Sequence, residues 1–273
     1  MTNPEIGKTI EAAGRKTNYL EEGTGPAVLL LHGSGPGVTG YANWRLTIPD
    51  LASDFRVLAP DAMGFGYTER HENETYSLDG WVEHTIAFMD ATGVEKAHFV
   101  GNSFGGGLTL AIASRYPDRV DRMVLMGSAG LDFGLTEGLD TVWGYEPSLE
   151  NMRKIMMECF AYDKSLITED LIKSRYDASK RPGYQESFSA MFPAPRGRHV
   201  AALSTPEDKI AALPHRALIV HGREDAVIPL ESSHRLHQML KRSELHTFGE
   251  CGHWTQIEKK DRFNGLIKSF FLA

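Results

Sequence analysis

The chain has 273 residues, of which 41% are hydrophobic and 24% charged, which excludes a disordered protein and fits one large α/β domain carrying an insertion. A formal net charge of −7 leaves no basic footprint, so nucleic acid and anionic membrane surfaces are poor candidate partners. Residues 1–23 lack the apolar core of a signal peptide, and no later apolar run is long enough to span a bilayer, so we predict a cytoplasmic protein.

Short apolar runs that end in polar loops recur along the chain and predict buried strands. Helical patterns, such as those at 79–92 and 107–115, fall between several of these runs. This alternation predicts an α/β fold with a mostly parallel sheet flanked by helices, in which ligands bind beyond the carboxyl ends of the strands. The predicted strands are 27–31, 55–58, 97–100, 122–126, 217–220 and a last one at 245–248.

The segment 133–203 breaks this rhythm, because it shows no strand pattern and instead has helical patterns at 149–160, 168–180 and 185–191. A helical insertion that interrupts a parallel sheet is typical of a lid. We therefore predict a first part of the core at 1–132, a helical lid at 133–203, and a second part of the core at 204–273.

The stretch FVGNSFGGG, residues 99–107, places Ser103 between glycines where a strand gives way to a helix. A very sharp turn forces its central residue into a strained backbone conformation, and the residues two before and two after must then be small. The G-x-S-x-G pattern predicts a nucleophilic serine at such a turn. A glycine-rich turn whose serine only caps the helix is the alternative, and this motif alone does not decide between them.

A nucleophilic serine needs a base and an acid that orients the base. His253 lies in a loop after the predicted last strand, and Asp225 lies in a loop after the strand 217–220. The order Ser, Asp, His along the chain is that of the α/β-hydrolase arrangement. Other histidines fit less well because they fall in helical or strand patterns: His84, His98, His234 and His237.

The negative charge that develops when a nucleophile adds to a carbonyl needs backbone N–H donors, and losing one such donor typically costs roughly 10²–10³ in rate. The loop HGSGPG, residues 32–37, follows the strand 27–31. We predict that the N–H groups of Ser34 and Phe104 form this oxyanion hole.

Cofactor and metal sites are not predicted. A dinucleotide fingerprint G-x-G-x-x-G fails in the 33–38 loop because Val38 stands where glycine is required and Pro36 interrupts the turn. No Gly-Lys-Ser/Thr completes a P-loop, and no Cys/His spacing favours zinc. Cys159 and Cys251 are far apart in sequence and indicate no disulfide scaffold.

Several segments taken together resemble the meta-cleavage product hydrolases, carbon–carbon bond hydrolases of the α/β-hydrolase superfamily that act in bacterial degradation of aromatic compounds. The resemblance runs from about residue 15 to the carboxyl end, and within the lid it points to the branch that acts on 2-hydroxymuconic semialdehyde and small alkyl ketone relatives. Many hydrolases share GNSFGG and HGRED, so the resemblance to this family rests on the combination of all the segments. The segments are HGSGPGVTGYANW, PDAMGFGYTER, GNSFGGG, TEGLDTVWGYEPS, ESFSAMFPAPR, ALIVHGREDAVIPL and CGHWTQIE.

The resemblance implies hydrolysis of the C5–C6 bond of a 2-hydroxy-6-oxohexa-2,4-dienoate, with no cofactor, in a homodimer or higher homo-oligomer. It assigns catalysis to Ser103, Asp225 and His253, and substrate binding to four further residues. For Arg175 the alternative is a solvated helix face, and for Trp254 it is a packing role. The four predicted substrate-binding residues are Asn43, Asn102, Arg175 and Trp254.

Two other functions use the same features. A carboxylesterase would have the same triad and oxyanion hole, and would not depend on Arg175. A non-catalytic small-molecule-binding protein of this fold would keep the pocket but usually has a decayed triad, which this sequence does not. The group attached to carbon 6 of the substrate, whether hydrogen, methyl, isopropyl or phenyl, is left open by the sequence.

Overall fold

The computed structural model describes residues 3–273, which form an eight-stranded sheet in the order β1-β2-β4-β3-β5-β6-β7-β8. The six strands from β3 to β8 are mutually parallel, and β2 pairs antiparallel with both β1 and β4. The strands are β1 (Lys8–Ala12), β2 (Arg15–Glu22), β3 (Ala27–Leu31), β4 (Arg56–Pro60), β5 (Ala97–Asn102), β6 (Val120–Met126), β7 (Arg216–Gly222) and β8 (Ser243–Phe248).

Thirteen α-helices accompany the sheet within the described residues, and short 3₁₀ turns lie at 117–119 and 164–166. They are α1 (Gly40–Trp44), α2 (Ile48–Leu51), α3 (Leu78–Ala91), α4 (Phe104–Arg115), α5 (Glu137–Trp143), α6 (Leu149–Lys154), α7 (Glu169–Ser179), α8 (Tyr184–Met191), α9 (Gly197–Ala202), α10 (Glu207–Ala211), α11 (Leu230–Met239), α12 (Thr255–Glu258) and α13 (Lys260–Leu272).

The central strands are apolar throughout because both of their faces are covered. In β3, Leu29 and Leu31 pack into one hydrophobic cluster, whereas Val28 and Leu30 pack into a second cluster on the opposite face. Each such side chain contributes about 1.5–3 kcal/mol when fully buried. This continuous burial explains why the sequence predicted these strands as unbroken apolar runs.

The sequence did not predict β1, β2 or the carboxyl-terminal helix α13. The segment RKTNYLEE of β2 mixes buried and exposed positions, and its polar residues hide the strand pattern. The two strands form an antiparallel edge, where one partly exposed face permits such residues.

The predicted lid follows β6 and precedes β7, and no strand interrupts residues 133–203. Helices α5 to α9 lie in this segment, although its limits stay a prediction. The predicted helix 149–160 is divided, since the α-helical part ends at Lys154 and a π-helix continues over Ile155–Phe160. Thr168 caps α7, because its side chain accepts a hydrogen bond from the Leu171 N–H.

Across residues 3–273, no helix combines the length and the apolar character needed to cross a bilayer.

Candidate active site

Ser103 lies at the sharp turn between β5 and α4, with φ +53° and ψ −114°. This is an uncommon conformation for a residue with a side chain and is held by surrounding hydrogen bonds. The Ser103 N–H donates to the Met126 carbonyl at 2.9 Å, and the Ser103 carbonyl accepts from the N–H groups of Gly106 and Ala129 at 2.9 and 3.0 Å. The predicted strained turn is therefore present, and its serine does not cap the helix with its side chain.

The glycines on both sides of Ser103 are required by close backbone approach. A Cβ atom on Gly101 would lie 2.3 Å from the Gly105 carbonyl oxygen, and one on Gly105 would lie 2.2 Å from the Leu31 carbonyl oxygen. Neither contact is relieved by moving a flexible side chain, because both involve backbone. This steric requirement is the one predicted from the sequence.

Asp225 and His253 meet at the carboxyl ends of β7 and β8, where the Asp225 Oδ2 lies 2.7 Å from the His253 Nδ1. The other carboxylate oxygen of Asp225 accepts the N–H groups of Val227 at 2.7 Å and Ile228 at 3.0 Å. Burial alone would raise the pKa of Asp225, but the attraction of His253 and hydrogen bonds from His221 and His253 lower it below its usual range. The carboxylate is thus fixed, charged at neutral pH, and able to orient the imidazole.

Ser103 and His253 both line a cavity between the sheet and the helices of residues 133–203, with a free volume of about 70 Å³. Both residues are buried, at 5% and 4% exposure, so the nucleophile and the base face the same enclosed space. No direct hydrogen bond joins their side chains, and catalytic contacts of this kind often tighten only in the substrate complex.

The two residues predicted to form the oxyanion hole, Ser34 and Phe104, both lie beside Ser103. Phe104 supplies the first N–H of α4, which has no carbonyl one turn earlier to receive it. Ser34 lies in the loop after β3 and is fixed from the lid, because the Trp143 indole N–H donates to its Oγ at 3.0 Å. Ser34 lines the same cavity as Ser103.

Two buried amides line this cavity with unused donors. The Asn43 Oδ1 accepts the Gly33 N–H at 3.2 Å, which leaves the Nδ2 of Asn43 without a partner. The Nδ2 of Asn102 is also buried without a partner. Since unsatisfied buried donors are costly, these two groups indicate a ligand that offers acceptor atoms. Both were predicted as substrate-binding residues.

Arg175 projects from α7 toward the cavity and is not on a solvated helix face, because its side chain is only 14% exposed. One guanidinium nitrogen lies 2.6 Å from the Glu5 carboxylate, and another donates to the Gly37 carbonyl at 3.2 Å. The structure therefore brings Arg175 to the site, where two of its guanidinium nitrogens already donate to protein acceptors.

Trp254 also lines the cavity and stacks on Phe160 of the lid, with ring centroids 5.0 Å apart. The Trp254 backbone N–H donates to the Phe160 carbonyl at 3.2 Å. Trp254 is thus both a wall of the site and a packing residue, the two roles considered from the sequence.

Sequence reasoning missed four residues around the site. His221 is fully buried, with its Nε2 3.4 Å from the Asp225 Oδ2, although it lies inside the quoted HGRED motif. Gln256 and Arg45 line the cavity, and Glu5 lies beside Arg175. Tertiary contacts bring these residues to the site. In the sequence, Gln256 is close to His253 and Arg45 is close to Asn43, whereas nothing marks Glu5.

A strained serine, a histidine and a buried aspartate in this chain order, at the carboxyl edge of a mostly parallel sheet, define a serine-hydrolase type of site on an α/β-hydrolase fold. The family model described as alpha/beta hydrolase fold matches residues 26–260.

Several known proteins that are similar to this chain identify the family within this class. A 2-hydroxymuconate semialdehyde hydrolase of Pseudomonas sp. strain CF600 is 54% identical over 99% of this chain and 95% of that protein. A 2-hydroxy-6-oxo-2,4-heptadienoate hydrolase of Pseudomonas putida strain F1 is 52% identical over 99% of this chain and 98% of that protein. The solved structure of the S103A mutant of a meta-cleavage product hydrolase from Pseudomonas fluorescens IP01, complexed with acetates, is 60% identical, with a TM-score of 0.97 and 98% of each chain covered.

The chain belongs to the meta-cleavage product hydrolases of the α/β-hydrolase family. This confirms the resemblance and the fold that the sequence predicted.

Proposed function

We propose that this enzyme hydrolyses the C5–C6 carbon–carbon bond of a 2-hydroxy-6-oxohexa-2,4-dienoate, releasing 2-hydroxypenta-2,4-dienoate and a small carboxylic acid. The observation that carries the proposal is that polar donors lie on one side of Ser103 and apolar side chains on the other. On one side lie the amides of Asn43 and Asn102 and the guanidinium of Arg175. These groups suit the carboxylate and hydroxyl of a dienoate.

The other side of Ser103 is a small apolar space with a free volume of about 10 Å³, close to what one water molecule needs. Its small volume and its walls suit a formyl or methyl group on carbon 6 better than a phenyl ring. The relatives named for 2-hydroxymuconate semialdehyde and 2-hydroxy-6-oxo-2,4-heptadienoate support the same choice. The apolar walls include Ala129, Phe133, Leu139, Trp143, Val200 and Ile228.

Cleaving a carbon–carbon bond requires an electron sink, so the dienol first becomes the α,β-unsaturated ketone. A proton leaves the 2-hydroxyl and one is delivered to carbon 5, with His253 as the shuttle. The Ser103 hydroxyl then gives its proton to His253 as its oxygen adds to the carbonyl at carbon 6, and the negative charge that develops on the carbonyl oxygen is stabilised by the N–H groups of Ser34 and Phe104.

The C5–C6 bond then breaks as the carbonyl reforms, its electron pair delocalises into the departing dienolate, and the dienolate takes the proton from His253 to become 2-hydroxypenta-2,4-dienoate. Water, deprotonated by His253, attacks the acyl group on Ser103 and releases the carboxylic acid. The strained turn at Ser103 favours this acyl-enzyme route over direct addition of water to form a gem-diol. Asp225 holds the imidazole in orientation during these proton transfers.

The proposal includes a cytoplasmic homo-oligomer. Cys159 and Cys251 are both free and buried, which suits a reducing compartment. Size-exclusion chromatography with light scattering tests the oligomeric state, and a monomer at micromolar concentration would contradict it.

The test follows the loss of yellow colour of the ring-fission products of catechol, 3-methylcatechol, 3-isopropylcatechol and 2,3-dihydroxybiphenyl, with p-nitrophenyl acetate as an ester control. We expect the first two to bleach fastest, loss of bleaching in Ser103→Ala, and weaker bleaching in Arg175→Ala. Fast ester hydrolysis without bleaching would instead identify a carboxylesterase, and neither activity would indicate a binding protein.

A further inference from the structure

Arg45 follows α1 and lines the cavity that contains Ser103. One of its guanidinium nitrogens donates to the Ala42 carbonyl at 2.7 Å. Within residues 3–273, no carboxylate lies within 4.0 Å of its guanidinium, although the side chain is partly buried. Arg45 therefore brings a cation to the cavity wall without a matching anion.

Arg175 differs from Arg45 in this respect. The buried carboxylate of Glu5 pairs with Arg175 at 2.6 Å and with Arg181 at 2.9 Å. Both oxygens of Glu5 are thus used, one on each guanidinium. Of the two arginines that line the cavity, Arg175 forms an ion pair within the protein and Arg45 does not.

The electrostatics around Arg45 favour an anionic ligand. Burial lowers the pKa of Arg45 and repulsion from Arg175 lowers it further, while attraction to Tyr41 and Glu5 partly opposes these two effects. A carboxylate bound between the two guanidiniums would offset both effects. The unpartnered amide donors of Asn43 and Asn102, which are 8% and 2% exposed, line the same cavity and lack an acceptor.

We propose that Arg45 is a substrate-binding residue whose guanidinium, free of an ion pair within the protein, pairs with the dienoate carboxylate, with Arg175 as its structurally anchored neighbour. This inference rests on the proposed function. It predicts that selectivity for an anionic substrate over its neutral ester depends on Arg45 at least as strongly as on Arg175.

Binding is measured without turnover in a Ser103→Ala background, from the visible absorption of the dienoate of 3-methylcatechol. Loss of a charge-assisted hydrogen bond typically costs roughly 10- to 100-fold in affinity. We expect Arg45→Gln to raise Kd by about that factor for the dienoate and by less than about 3-fold for its neutral methyl ester. Arg45→Lys, which keeps the charge, is expected to recover part of the loss.

Arg153→Gln is the matched control, because Arg153 is an exposed arginine on α6 that pairs with Glu169 outside the cavity. It is expected to leave both Kd values unchanged. An unchanged dienoate Kd in folded Arg45→Gln, or an equal loss for acid and ester, would overturn the proposal. If the wild-type enzyme neither bleaches nor binds the dienoate, the proposed function itself fails, which separates the two results.

Discussion

The contact between Asp225 and His253 orients the imidazole and places a negative charge beside it. Because the pKa of Asp225 is lowered, the carboxylate remains ionised through the neutral range and stabilises the imidazolium that forms during proton transfer. We predict that Asp225→Asn lowers kcat by about 10⁴-fold with little change in KM. Steady-state kinetics with the 3-methylcatechol product checks this.

Asp132→Asn provides the control, because Asp132 is an exposed aspartate outside the cavity. It is expected to retain wild-type kcat. An Asp225→Asn enzyme within tenfold of wild type would show that His253 is oriented by other groups, His221 being the nearest.

Helix α5 of the lid acts on the site through Trp143. The indole donates to Ser34 and stacks on Phe192, with ring centroids 4.3 Å apart. Trp143→Phe keeps an aromatic ring for stacking but removes the donor, and a hydrogen bond contributes about 0.5–1.5 kcal/mol. We predict a kcat reduced by up to about tenfold, with a thermal midpoint close to wild type.

Trp143→Leu removes both interactions and is expected to lower the thermal midpoint as well as kcat. If Trp143→Phe retains full kcat, the lid does not position the oxyanion loop through this hydrogen bond.

The amino-terminal segment secures helix α7 of the lid through Glu5. Glu5 is 7% exposed, and removing one member of a buried ion pair typically costs about 3–5 kcal/mol. We therefore predict that Glu5→Ala lowers the free energy of unfolding by about 3 kcal/mol in urea titrations. Glu169→Ala breaks an exposed pair with Arg153 and is expected to cost less than about 1 kcal/mol. Equal losses in the two variants would contradict this difference.

Across the chain as a whole, buried histidines make stability depend on pH. Burial lowers the pKa of His32 to about 4 and that of His84 to about 3, against about 6.5 in the unfolded chain. The unfolded state therefore binds more protons below pH 6.5, and the stability present above that pH is lost as the pH falls toward 4.

We predict that His84→Gln reduces the dependence of the unfolding free energy on pH, between pH 6 and 4.5, by up to about 1.4 kcal/mol per pH unit. Urea unfolding across this range measures it. Burial raises the pKa of Asp61 to about 6, so protonation of Asp61 stabilises the folded state as the pH falls. Because this effect is the same in both proteins, the difference in slope between variant and wild type isolates the contribution of His84. Identical slopes would show that His84 is protonated in the folded state.

The parts of the molecule that the sequence predicted are those set by local chemistry. The turn at Ser103 needs small neighbours whatever surrounds it, and the central strands are apolar because both faces are buried. The parts it missed depend on distant contacts: Glu5 meets Arg175 from 170 positions away, and β2 is a strand because it pairs with β4. Arg45 resembles any surface arginine until the cavity beside it is known.

The most direct test of the account is product analysis with 2-hydroxy-6-oxohepta-2,4-dienoate. Purified enzyme is incubated with the compound, and acetate and 2-hydroxypenta-2,4-dienoate are quantified by NMR, with Ser103→Ala in parallel. We predict that the two products form in equal amounts with the wild type, and that Ser103→Ala forms neither. A substrate that persists while p-nitrophenyl acetate is rapidly hydrolysed would contradict carbon–carbon bond cleavage and leave an esterase.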